Sequence, residues 1–238
     1  GTIELLRQNQ IDPAKVINRF PQALSLSHQR IQGTIELLRQ NQIDPAKVIN
    51  TLPSTLGYSH QRVRFRVKVI KYVGLDAKIL ETRIRLLSLR NEMFFEIVEK
   101  IKGVNRQKLQ EVNQGIENLR EVFGLSQENA ILLAGIESGF ELISLSKQEL
   151  KTKKIRIDLI PERILGQFGF KKVTTEGRMT YMPITKDARM PRWWDTGEEK
   201  GDISQRGASS QDPQLNSCVP FISFRMSVAK RFPACFSK

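Results

Sequence analysis

Nine basic residues stand in residues 61–90: Arg62, Arg64, Arg66, Lys68, Lys71, Lys78, Arg83, Arg85 and Arg90. Only Asp76 and Glu81 oppose them there. A second cluster, Lys151, Lys153, Lys154 and Arg156, follows later. Lys and Arg at such density can neutralise phosphates and release their counterions, which gives an affinity that falls with salt. Arg adds bidentate hydrogen bonding to phosphate or guanine. The same run on a helix is ordinarily a solvated face, so charge alone names no partner. On a helical wheel Arg62 and Arg66 share one flank of the apolar stripe, and Arg64, Lys68 and Lys71 lie on the other side. Arg62 and Arg66 are expected to face a groove, with Arg30 as the counterpart of Arg62. Lys71 covers the case in which the opposite flank does so. Lys78, Arg83, Arg85, Lys151 and Lys154 complete the candidate nucleic-acid-binding set. Phosphate positioning is expected over base reading.

Other side chains offer less chemistry. His28 and His60 are the only histidines, and as repeat copies at helix starts they read as surface residues. The chain has no GxSxG, HExxH, P-loop or CxxC motif. Glu96 with Glu99, and Glu117 with Glu121, fall at helical spacing beside Lys100 and Arg120, which reads as solubility or local pairing. Cys218 and Cys235 make neither a disulfide framework nor a zinc site. No metal, cofactor or small-molecule substrate is expected, and no enzyme. The longest apolar run, residues 130–136, is far short of a membrane span, so no membrane partner is expected. The whole chain of 238 residues carries a net +13.

The elements that must position these residues come from a repeat. Residues 1–18, GTIELLRQNQIDPAKVIN, recur letter for letter at 33–50. The match then decays in register. Pro21 pairs with Pro53, Leu24 with Leu56, and SHQR at 27–30 with SHQR at 59–62, a period of 32. One period on, Leu37-Leu38-Arg39 becomes Val69-Ile70-Lys71, and Ile43-Asp44 becomes Leu75-Asp76. A degenerate unit lies near 115–155, where GIENLREVFGLSQENAILL resembles the opening and SLSKQEL resembles SLSHQRI. The chain opens at Gly1, inside this pattern, and reads as a piece of something longer.

Each unit reads as two helices. Asp12-Pro13 and Asp44-Pro45 are start signals: Asp caps free N–H groups, and Pro at the first helical position has none to waste. Ser27, Ser59 and Ser146 read as caps of the other helix, and Ser146 with Glu149 has capping-box spacing. Pro21 and Pro53 should stop the short helix, because a proline there removes a hydrogen bond and clashes with the preceding turn. The order is then helix, short helix, Pro, one more turn, serine cap, next helix. RVRFRVKV at 62–69 alternates like a strand, but its repeat counterpart RIQGTIEL does not, so helix is expected. One unit cannot bury its apolar face alone, and stacked neighbours can.

The layout VINRFPQALSLSHQRIQGTIELL, and again VINTLPSTLGYSHQRVRFRVKVI, resembles the repeat of the mitochondrial transcription termination factor (mTERF) family. Pro21, Leu24, Ser27 and Ile31 match its pattern, as do Pro53, Leu56, Ser59 and Val63. In the late unit Ile143, Ser146 and Leu150 keep their places, with Phe140 where the proline belongs. In the third unit Arg85 stands at the proline position. The resemblance implies an all-α, right-handed α-solenoid of about 32-residue helical repeats. It also implies non-catalytic binding of double-stranded DNA or RNA along a basic groove, and regulation or termination of transcription in a mitochondrion or other organelle. Without it, a cytoplasmic location and an α-solenoid for protein–protein contacts with an acidic partner are the alternative.

The expected organisation is a helical array over 1–170, with units near 1–32, 33–64, 65–102 and 115–155. A disordered, irregular tail is expected over 171–238. There Pro183, Pro191, Pro213, Pro220 and Pro233 are scattered through a polar, turn-rich stretch. Trp193-Trp194 could stack on bases or dock on a partner, but reads as incidental.

Overall fold

The computed structural model describes residues 1–175, 178–184 and 188–195. The chain divides into two compact units, Gly1–Ile155 and a second beginning at Arg156.

The first unit is built of helices and short 3₁₀ turns up to Thr152. Its helices are α1 (Thr2–Gln8), α2 (Pro13–Arg19), α3 (His28–Gln40), α4 (Pro45–Thr51), α5 (His60–Tyr72), α6 (Ile79–Thr82), α7 (Asn91–Glu99), α8 (Arg106–Phe123), α9 (Gln127–Ala134) and α10 (Lys147–Thr152). Short 3₁₀ turns at Pro21–Ser25, Pro53–Gly57, Ile84–Leu87 and Gly139–Ser144 follow α2, α4, α6 and α9. The caps sit where the sequence places them. Asp12 and Asp44 each accept two N–H groups of the following turn. Ser27 and Ser59 accept the N–H groups of Arg30 and Arg62, and Ser146 with Glu149 forms a reciprocal capping box. Each such cap contributes about 1 kcal/mol.

The prolines act as expected. α2 and α4 end at Arg19 and Thr51, two residues before Pro21 and Pro53, which open the 3₁₀ turns. The third and late units make the same turn without a proline. Arg85 lies inside the third unit's turn, and Phe140 packs against the Phe65 and Tyr72 rings at 6.2 and 5.7 Å. RVRFRVKV lies within α5, since burying Val63, Val67 and Ile70 on one stripe requires the helical period.

Core positions recur with the repeat. Leu6, Leu38 and Ile70 are fully buried, as are Val16, Val48 and Leu80. Successive units touch through α1 with α3, α3 with α5, α2 with α4, and the first two 3₁₀ turns with each other. Position within the stack then separates identical letters. Leu56 is 0% exposed in a 3₁₀ turn that packs on α2, α3 and the preceding 3₁₀ turn, while its counterpart Leu24 is 51% exposed.

The second unit departs from an all-helical chain. It holds α11 (Glu162–Gln167) and an antiparallel hairpin of Phe170–Thr175 with Arg178–Pro183, in which Phe170 lies opposite Pro183. The stretch from residue 171 was expected to be irregular. The hairpin forms because strand pairing satisfies its main-chain groups without any helical period. Residues 156–170, grouped with the helical array on sequence grounds, fall in this second unit. Trp193 and Trp194 are only 8% and 5% exposed and pack edge-on with Phe168, and Trp194 also with Phe170. They are core residues of this unit rather than a stacking surface. The rest of the expected tail, residues 196–238 with Cys218 and Cys235, lies outside the described residues.

Candidate nucleic-acid interface

The expected site residues separate into those turned inward and those left on the surface. Arg66 is the clearest of the first kind. Its side chain is fully buried. Nη1 donates to the Leu86 carbonyl at 2.5 Å, Nη2 donates to the Leu89 carbonyl, and the guanidinium lies over the Phe94 ring at 5.0 Å. Burial, and then the Arg62 charge beside it, lowers its pKa to about 9. Arg62 is half-buried; its Nη2 donates to the same Leu89 oxygen at 2.6 Å, and it sits over the Tyr58 ring. Arg30 repeats this one unit earlier, donating to the Gly57 carbonyl at 2.7 Å.

These three arginines therefore do not line an open groove. The flank that carries them faces the next unit's 3₁₀ turn, whose last carbonyls have no intrahelical partner. A guanidinium supplies the donors that those oxygens lack.

The opposite flank of α5 is covered as well. Arg64 donates to the Gly135 carbonyl at 3.4 Å, and Lys68 to the Glu137 carbonyl at 2.8 Å. Burial, followed by the neighbouring Arg64 charge, lowers the Lys68 pKa. A helix whose two flanks both meet main-chain oxygens spends much of its charge on packing. The expectation that one flank faces a groove while the other is merely solvated fails for this reason.

His60 is also a correction. It is half-buried, its ring lies against Gly33, and Nε2 is within hydrogen-bond reach of the Arg30 carbonyl and Thr34 Oγ1. His28, its copy in the first unit, is exposed as expected.

The remaining expected residues stay on the surface. Lys71, Lys78, Arg83, Arg85, Lys151 and Lys154 are all exposed, and so is Arg90. Lys71 donates to Asn41 Oδ1 at 2.8 Å, which ties the end of α5 to the turn that ends α3. These residues stand on several different helices and turns. Lys71 and Lys78 flank the turn between a long helix and the following short one. Arg83 and Arg90 stand on either side of the 3₁₀ turn that follows the third unit's short helix, and Arg85 lies within it.

Two exposed residues were missed, Arg7 and Arg39. They occupy the last turns of α1 and α3, as Lys71 does in α5. The signal was in the sequence, because the repeat register that aligns Arg39 with Lys71 aligns Arg7 with both.

No protein-family model, curated protein or solved structure matches this chain.

Proposed function

We propose that this chain is a non-catalytic nucleic-acid-binding protein whose helical units stack as a right-handed α-solenoid. One observation carries the reading. Lys71, Lys78, Arg83, Arg85 and Arg90 reach solvent from the third unit, and none of them is in an ion pair among the described residues. Long cationic side chains outside any ion pair on an array of helical units suit a polyanion with regularly spaced charges. A part in transcription, its termination, and an organellar location extend the reading along the termination-factor resemblance carried by Pro21, Leu24, Ser27 and Ile31 and their counterparts.

The test is fluorescence anisotropy of the full chain with unrelated duplex DNA and RNA, starting at about 50 mM salt, the low end of the range in which such contacts are measured. Binding that weakens steeply with salt and is competed by unrelated nucleic acid supports the proposal. Absence of binding to either at that salt overturns it.

A further inference from the structure

We infer that Arg7, Arg39 and Lys71 form a ladder that contacts successive phosphates of a nucleic-acid backbone without reading sequence; this deepens the proposed function and rests on it. The three residues sit at the same place in three consecutive units. Each lies in the last turn of its helix, three residues before a residue of left-handed backbone: Gln10, Gln42 and Gly74, with φ of 60, 61 and 86°. The helices that carry them pack in order, α1 on α3 and α3 on α5. The Lys71 bond to Asn41 brings the last rung onto the turn that follows Arg39. The three cations therefore share one edge of the array.

A cation in a last turn answers the negative end of the helix dipole, which accounts for the residue type alone. None of the three is in an ion pair among the described residues. The basic residues that close α7 and α8 are each held by a carboxylate of the same helix, Lys100 by Glu96 at 2.6 Å and Arg120 by Glu117 at 2.6 Å. Glu4 and Glu36 stand three residues before Arg7 and Arg39, yet neither forms an ion pair with them among the described residues. Glu36 instead accepts from Gln32 Nε2 at 2.8 Å. At the third rung the corresponding residue is Lys68, which removes the acid altogether. The edge becomes more positive from the first unit to the third. The phosphate backbone of a duplex can meet cations set one per unit, and side chains on a helix end supply charge and donors without the fixed geometry that base reading requires.

The experiment is the salt dependence of affinity of the full chain for an unrelated duplex. Each lost phosphate contact lowers the slope of log K against log salt by about 0.9. The triple variant Arg7→Gln, Arg39→Gln, Lys71→Gln is expected to lower it by about 2.7. The charge-keeping triple Arg7→Lys, Arg39→Lys, Lys71→Arg is expected to keep the wild-type slope. A control triple with the same charge change, Lys15→Gln, Arg19→Gln, Lys102→Gln, should leave the slope within about 1 of wild type. Wild-type binding with an unchanged slope in the first triple overturns the ladder and leaves the proposed function standing. An equal loss in the control triple also overturns it, since net charge alone then explains the binding. Failure of the wild type to bind overturns both.

Discussion

Arg62 donates from Nη2 to the main-chain oxygen of Leu89 at 2.6 Å, linking the start of one long helix to the end of the next unit's 3₁₀ turn. Arg30 and Gly57 repeat the bond one unit earlier at 2.7 Å. A residue conserved between the two repeat copies thus acts as a clamp between units, and Arg66 adds a second clamp on the same carbonyl.

Arg66→Ala should destabilise the chain by roughly 1–3 kcal/mol, because it takes the donor from the buried Leu86 carbonyl, leaves Leu89 with Arg62 alone and opens a void over Phe94. Arg66→Lys should recover little, since an ammonium lacks the planar fork that reaches both oxygens. Urea unfolding measures both. Wild-type stability in Arg66→Ala, with weakened nucleic-acid binding, would return Arg66 to the interface and defeat the clamp assignment.

Gly115→Ala should cost about 1–3 kcal/mol. A Cβ there meets the Ile143 side chain and main chain where the late unit's 3₁₀ turn crosses α8. Gly33→Ala meets a side chain instead, the His60 ring at 2.6 Å. That ring can rotate, at the expense of its contacts with Arg30 and Thr34. Thermal melts should rank Gly115→Ala as the more damaging, and the reverse order would show that the 3₁₀ turn yields more easily than the histidine.

Gln42→Gly should raise stability by up to about 1 kcal/mol. Gln42 closes α3 with φ at 61°, a left-handed conformation that costs an L side chain about that much and glycine nothing. The native array already uses glycine at the matching place in the third unit, Gly74. A lower melting temperature in the variant counts against this reading of the turn.

Glu81 gives an acid-sensitive contact between units. Its carboxylate accepts the Asp44 N–H at 2.9 Å and the Lys47 ammonium at 3.1 Å. The Asp44 N–H bond is the main cause that lowers its pKa below the ordinary 4.5, with Lys47 assisting. A depressed folded-state pKa stabilises the fold above the unfolded value and loses that contribution as pH falls through the folded one. Stability should therefore drop in acid below about pH 4.5, and Glu81→Gln should flatten part of the drop. Identical acid profiles for the two proteins would remove this contact from the acid response.

The sequence by itself determined the repeat, its helix starts and its breaks. These are local matters: Asp12, Asp44, Ser27, Ser59 and Ser146 cap the turn that follows them, and Pro21 and Pro53 end the helix before them, whatever lies farther off. The repeat register also chose helix over strand for residues 62–69. Tertiary structure decided what the cations do. A helical wheel sets the angles at which Arg62, Arg66, Arg64 and Lys68 leave α5, but not what stands at each angle. The next unit's carbonyls lie on one side and the Gly135–Glu137 carbonyls on the other, and both come from residues distant in the chain. The same holds for Leu24 and Leu56, equal in letter and opposite in burial, and for Trp193 and Trp194, which only the packing of Phe168 and Phe170 makes core. Capping and helix breaking act within a turn, whereas burial of a charge depends on which neighbour the stack brings against it.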